Sequence, residues 1–247
     1  MKLDGATQGR EDHRERRARS RKASRTARFK PLQWESMVTD ALAKTSPGQE
    51  RVPPRPPAEP PRAALGSFLR AIIAFLEARK LSAQVRPLVS LETQRLIDKP
   101  PFVFRWVPST PIDELEAALQ KLGGPELCRE LGLELSRAMG GTIVQPVLRA
   151  AFFLFGETPE AVFMHLDRFF SLPTRGITFS WHPLAPGSGL VEARFEGPDV
   201  PEAAYHVLQG SLQWVFDGLF QRPGTVGPPR LLSADARESR VELAVQF

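Results

Sequence analysis

The spacing of apolar residues changes once along the chain, and this change limits the folds that the chain can adopt. Up to Pro173, apolar residues recur at the spacing of helices that are buried along one side. After Gly176 they alternate with polar residues, as in strands with one buried face. Because runs of helices precede runs of strands, without regular βαβ units, the pattern predicts an α+β fold.

The alternating region predicts two hairpins that flank a long helix. Residues 176–182 and 189–196 alternate around turn-forming proline, glycine and serine residues, which is typical of an antiparallel hairpin. A helix is expected over residues 201–220, and residues 230–236 and 240–247 form the second pair of strands. We therefore expect a β-β-α-β-β antiparallel sheet with helices packed against one face.

The first part of the domain is predicted to contain five helices. They begin near residues 62, 110, 125, 142 and 158. Thr-Pro pairs at two of these starts supply a cap and a proline at the first helical position, and acidic residues follow them. Two Gly-Gly pairs are expected to end helices. The helix from 142 to 155 is the most apolar and is therefore expected to be central.

The basic charge of the chain is concentrated at its N-terminus. The formal net charge is +5, but residues 1–30 contain eleven Lys and Arg against four Asp and Glu, which leaves 22 against 24 in the remainder. Residues 10–30 have almost no large apolar side chains and are expected to be disordered. Residues 47–61 contain seven prolines and predict an extended linker. Residues 1–61 are therefore interpreted as tail and linker, and residues 62–247 as one domain.

Composition also suggests where the protein works. Cys128 is the single cysteine, so no intramolecular disulfide can form. The start of the chain lacks the apolar core of a signal peptide, and no apolar stretch is long enough to span a membrane. These features favour a cytoplasmic protein.

The residues provide no recognisable catalytic or metal-binding pattern. The glycine pairs lack the lysine and the spacing of a phosphate-binding loop, and there is no nucleophile elbow. The four histidines do not cluster with other metal ligands, and Cys128 falls within the apolar spacing of a helix. Paired acids, such as Glu114 with Glu116, are explained by their positions at helix starts. We therefore expect no catalytic residue, no metal site and no enzyme activity.

His165 is the candidate cofactor-binding residue. It lies among apolar neighbours in the helix that precedes the first hairpin, where it could be an axial ligand to a cofactor iron or a histidine at the boundary of the core. The residue pattern favours the core interpretation. The same choice applies to six phenylalanines between residues 152 and 170, which could surround a planar ligand but are better explained by core packing.

Residues 102–247 resemble an uncharacterised family of small proteins that is abundant in myxobacteria. The resemblance rests on the order and spacing of several features: Trp106-Val107-Pro108, Glu130-Leu131-Gly132, residues 155–159 (Phe-Gly-Glu-Thr-Pro), and the glycines Gly210 and Gly218. In element order that family is similar to haem-nitric-oxide-binding and vinyl-reductase-like domains, which place a ligand between a helix and an antiparallel sheet.

The resemblance implies a position for a ligand, with one disagreement. His165 lies fourteen residues before Phe179, close to the position of the proximal histidine in the haem-binding relatives. Their Tyr-x-Ser-x-Arg motif, which holds the haem propionates, corresponds to Ala193, Phe195 and Gly197, so its polar groups are lost. This loss led us to expect no cofactor, with haem as the less favoured alternative.

Three functions remain open from the sequence. The leading hypothesis is a non-enzymatic regulatory or small-molecule-sensing domain that binds a small apolar ligand or a protein partner. A second is a haem-linked gas sensor that uses His165. A third is an adaptor whose residues Arg10 to Lys30 bind nucleic acid or another polyanion weakly through their charge.

Overall fold

The computed structural model describes residues 60–140 and 157–247. The predictions for the basic tail, for most of the proline-rich linker and for the helix at 142–155 lie outside these residues. Within them the chain is a helical region followed by an antiparallel sheet, which confirms the predicted α+β class. None of the helices in the described ranges is long and apolar enough to cross a membrane.

Short helices and one long helix make up the first region. Its elements are β1 (Ala63–Leu65), α1 (Gly66–Ala78), α2 (Ser82–Val85), a 3-10 turn (Arg86–Leu88), α3 (Leu91–Asp98), β2 (Trp106–Pro108) and α4 (Thr110–Met139). Helix α4 is kinked at Gly124, which has φ 67° and ψ −164°, and Pro125 follows the kink. This kink separates the two helices that the Gly-Gly pair predicted, because proline cannot donate an amide hydrogen bond to the preceding turn.

The second region contains the predicted hairpins around a helix. Its elements are α5 (Pro159–Met164), α6 (Leu166–Phe170), β3 (Thr174–Arg175), β4 (Ile177–Ala185), β5 (Ser188–Glu196), α7 (Glu202–Trp214), a π-helical turn (Val215–Phe220), β6 (Thr225–Val226), β7 (Arg230–Ala234) and β8 (Glu238–Gln246). Strand β8 pairs antiparallel with β5, β6 and β7, and β4 pairs with β5. The β-β-α-β-β order is therefore confirmed.

The alternation of apolar and polar residues places one face of this sheet in the core. Val191, Ala193 and Phe195 of β5 are buried, as are Val241 and Leu243 of β8, whereas the residues between them are partly or fully exposed. The buried face packs against α5, α6 and α7, whose contributions include Phe163, Leu166, Tyr205, Leu208 and Leu212.

A small second sheet was not predicted. Strand β1 pairs antiparallel with both β2 and β3, so the order is β2-β1-β3. We expected the apolar stripe after residue 62 to be wholly helical, but residues 63–65 form an extended strand and the helix begins at Gly66. Arg175 strengthens this sheet from β3, because its guanidinium carbon lies 4.0 Å from the ring centre of Trp106.

Helix α7 is shared by two apolar cores. Ala203 and Val207 pack into the core formed by α1 to α4, whereas Leu208 and Leu212 pack into the core beneath the sheet. The helix crosses α4 at close range through two glycines. A Cβ atom at Gly132 would lie 2.0 Å from the carbonyl oxygen of Val207, and one at Gly210 would lie 2.0 Å from that of Arg129. Only glycine permits this crossing.

Candidate functional site

An apolar cleft lies between the helical core and the sheet core. We call it the apolar cleft. Its volume is about 640 Å³, including space that is open to solvent. Aliphatic and aromatic side chains dominate its walls, which come from α1, the second half of α4, the α5–α6 segment and α7 with its π turn. The residues that line it include Phe68, Ser136, Met139, Val162, Leu166, Phe169, Phe170, Pro173, Ser211 and Trp214.

A second cavity adjoins the first and has a polar end. Its volume is about 620 Å³, including space that is open to solvent, and it shares the lining residues Phe68, Phe170 and Ser211 with the apolar cleft. We call it the polar-ended cavity. Much of its wall is apolar and includes Ile177, Phe179, Phe195, Val207 and Leu208. Its polar end is formed where β1 meets the first turns of α4.

A buried ion pair lies at that end. Both terminal nitrogens of Arg62 donate to the carboxylate of Asp113, over 3.0 Å and 2.9 Å. The arginine side chain is only 8% exposed and that of Asp113 is 18% exposed. Burial raises the pKa of Asp113, although the bonds from Arg62 act in the opposite direction. The Arg62 Nε atom is buried and has no hydrogen-bond partner.

Glu116 lies one helical turn after Asp113 and lines the same cavity. Burial, with a further contribution from the nearby charge of Asp113, raises the pKa of Glu116 to about 8. The side chain is therefore a neutral carboxylic acid at neutral pH, which can donate a hydrogen bond as well as accept one. Our prediction that the acids at this helix start are simple capping residues is wrong for Glu116, because it points into the protein rather than toward solvent.

His165 lies at the break between α5 and α6. Its φ of −117° and ψ of 17° are not helical, and they interrupt the single helix that the sequence predicted here. The residue is half-buried. Val162 and Leu166, on either side of it, both line the apolar cleft, whereas His165 is not part of the wall itself. The structure thus brings His165 next to the cleft, and its role as a cofactor ligand stays a prediction.

The other predicted chemical groups occupy structural positions. His182 is exposed on the edge strand β4, and His206 is buried in α7. Cys128 is fully buried, and burial raises its thiol pKa to about 12, as expected for a small apolar core residue. Within residues 60–140 and 157–247, no three His, Cys, Asp or Glu side chains are grouped so as to hold a metal ion.

The three positions that correspond to the propionate-binding motif are apolar in structure as well as in sequence. Ala193 and Phe195 are buried in the sheet core, and Gly197 follows β5 with φ at +91°. The nearby Phe195 side chain lines the polar-ended cavity. The buried charged and acidic groups of this cavity come instead from Arg62, Asp113 and Glu116, which the sequence pattern does not group together.

No protein-family model matches the chain, and no curated protein matches it. Solved structures of H-NOX (haem-nitric-oxide/oxygen-binding) domains do match it. One, described in terms of H-NOX activation, has a TM-score of 0.53 at 14% identity and covers 74% of this chain and 96% of its own. A variant H-NOX from T. Tengcongensis has a TM-score of 0.52 at 15% identity, with coverages of 74% and 96%. A structure described in terms of porphyrin distortion and haem redox potential has a TM-score of 0.52 at 14% identity, covering 74% and 99%.

These matches confirm the predicted likeness to haem-nitric-oxide-binding domains at the level of the fold. The likeness to a myxobacterial family stays a prediction. Our expectation that the domain carries no cofactor is contradicted, because the structures that share its fold are described as haem proteins.

Two features of the apolar cleft fit a haem, whereas the residues at the positions of the propionate-binding motif do not. The cleft is lined by apolar side chains, and a half-buried histidine belongs to the same α5–α6 segment as the wall residues Val162 and Leu166. The positions matched to the propionate-binding motif offer no hydrogen-bond donor side chain.

Proposed function

We propose that residues 60–247 form a non-enzymatic sensing domain that holds haem in the apolar cleft, with His165 as the axial ligand. The observation that supports this proposal is a half-buried histidine, His165, at the break of the α5–α6 segment whose residues Val162 and Leu166 line the cleft, in a fold shared with H-NOX domains. A bound haem supplies an iron centre at which a diatomic gas can coordinate.

The protein residues would have separate tasks at this site. Val162, Leu166 and Phe169 are buried and form an apolar wall that would keep water away from a group held in the cleft. The backbone of His165 is already outside regular helical geometry, at the boundary between α5 and α6. A movement at His165 would pass directly to α5 and α6, which end and begin there. Ligand binding would in this way be converted into a shift of the cleft wall.

The test is absorbance spectroscopy of the full chain purified from cells supplied with a haem precursor. We expect a Soret band and stoichiometric uptake of added haemin. The His165→Ala variant should lose the band or shift it, because a neutral imidazole is the expected axial ligand. His182→Ala is the matched control, since His182 is exposed on the sheet edge and should leave the spectrum unchanged.

Two results would contradict the proposal. A folded, colourless protein that takes up no added haemin would exclude haem as the cofactor. Haem uptake with an unchanged spectrum in His165→Ala would exclude His165 as the ligand while leaving the cofactor in place. Circular dichroism of each variant shows whether a loss of colour reflects a loss of structure.

A further inference from the structure

The polar-ended cavity contains charged groups that the proposed haem site does not use. Arg62 and Glu116 are 6% and 4% exposed, and both line this cavity. Charged and acidic side chains are seldom buried so completely without a specific partner. We infer that this cavity binds the uncharged, hydrogen-bond-accepting end of an elongated apolar molecule, such as a ketone, amide or alcohol, at Arg62 and Glu116. This inference goes beyond the proposed function and requires no haem.

One nitrogen of Arg62 has no hydrogen-bond partner. The two terminal nitrogens each donate to Asp113 in a bidentate pair, which fixes the plane of the guanidinium group. The Nε–H, by contrast, is buried without a partner. A buried donor without an acceptor costs free energy, so an acceptor atom from a bound molecule would be stabilising at this point. The arginine is thus oriented by Asp113 and still able to donate.

Glu116 supplies a second donor from the same helix as Asp113. Because it is protonated at neutral pH, it presents a carboxylic O–H to the cavity. One oxygen acceptor can receive hydrogen bonds from two donors, since a carbonyl or hydroxyl oxygen has two lone pairs. An acceptor oxygen of a bound molecule would therefore find hydrogen-bond donors from Arg62 and Glu116 at this end of the cavity.

Charge balance selects a neutral ligand. The positive charge of Arg62 and the negative charge of Asp113 already cancel, and Glu116 is uncharged. Arg175, the other charged residue of the lining, is exposed and stacks on Trp106. A carboxylate ligand would add an unbalanced negative charge next to Asp113, and an ammonium ligand would face the Nε–H of Arg62. Burying either charge without a partner is more costly than burying a neutral acceptor.

The walls of the polar-ended cavity favour a ligand whose body is elongated and apolar. Away from its polar end the cavity is walled by Ile177, Phe179 and Phe195, and Phe68 and Phe170 line both this cavity and the apolar cleft. A molecule that placed its oxygen at Glu116 could therefore extend its hydrocarbon part along these walls. Burial of that part would supply most of the binding free energy.

The inference is tested on the full chain prepared without added haem. The probe is Prodan, a neutral naphthalene ketone whose emission moves to the blue in apolar surroundings. We expect saturable binding with a blue shift. 2-Dodecanone should compete for the site, whereas dodecanoate and dodecylammonium, used below their micellar concentrations, should compete at least about tenfold more weakly because of their charge.

Variants of Glu116 separate the polar contact from general apolar binding. Glu116→Leu removes the donor and should weaken 2-dodecanone binding about tenfold, whereas Glu116→Gln keeps an N–H donor and should bind nearly as the wild type does. Glu126→Leu, an exposed change on the same helix, is the control and should have no effect. Absence of Prodan binding, equal competition by the carboxylate and the ketone, or wild-type affinity in a folded Glu116→Leu protein would each overturn the inference. None of these outcomes depends on the Soret band that tests the haem proposal.

Discussion

Glu116 makes a measurable prediction about stability and pH. Its pKa is raised from an ordinary value of 4.5 to about 8 in the folded protein. Between these values the folded chain holds a proton that the unfolded chain releases, so the folded state binds more protons. The contribution of Glu116 to the free energy of unfolding therefore falls as pH rises through this window. The sign is opposite to that of a carboxylate whose pKa is lowered by an ion pair.

The size of the effect follows from the same two values. Each pKa unit corresponds to about 1.4 kcal/mol, and integration from about pH 5 to pH 8 gives a loss on the order of 3 kcal/mol. Glu116→Gln removes the titrating group but keeps a similar shape. The difference in unfolding free energy, variant minus wild type, should therefore rise by on the order of 3 kcal/mol across this interval.

Urea denaturation of both proteins at a series of pH values measures this difference. A constant offset between Glu116→Gln and the wild type is expected from altered packing and does not affect the result, because only its pH dependence is used. Glu126→Gln is the matched control, since its side chain is 73% exposed on the same helix. Parallel pH profiles for wild type and Glu116→Gln would refute the assignment of a protonated, buried Glu116.

Three further changes test the packing that surrounds the site. Gly132→Ala should lower the unfolding free energy by about 1–3 kcal/mol, because the new Cβ would meet a backbone carbonyl. Gly227→Ala is the control, since a Cβ there has ordinary contacts and should have little effect. Thermal melts of both variants would measure the difference. Arg62→Met should lower the unfolding free energy by about 3–5 kcal/mol, because it leaves Asp113 buried and unpaired. The double variant Arg62→Met with Asp113→Leu should recover much of this loss, and urea titrations would measure both effects. Thr158→Ala removes the side-chain cap of α5 and should cost about 1 kcal/mol; an unchanged melting midpoint would count against this cap.

The sheet could be predicted because the sequence of each strand shows which of its residues are buried. In β5 and β8 each buried residue is followed by one that is more exposed, so the period of two identifies both the strand and the face that it buries. The cap at Thr158 and the kink at Gly124 were also predictable, since both depend on a few adjacent residues with restricted conformations.

The polar-ended cavity could not be predicted, because its groups are distant in sequence. Arg62 and Asp113 are 51 residues apart, and nothing local marks them as partners. Glu116 has the sequence context of an ordinary acid in the first turns of a helix, and only the packing of β1 and α7 around α4 buries it. The small sheet escaped prediction for a related reason, since strands of two or three residues are too short to show a period.

The crossing of α4 and α7 limits which helices around the cleft can move. At Gly132 and Gly210 the two backbones are already in contact, so these helices cannot move closer together when a ligand enters or leaves. The opposite wall consists of α5 and α6, two short helices interrupted at His165. If the domain senses a ligand as proposed above, a change in the cleft would therefore be expected at α5 and α6 rather than at the α4–α7 crossing, and a partner that detects the change would contact the surface of these two short helices.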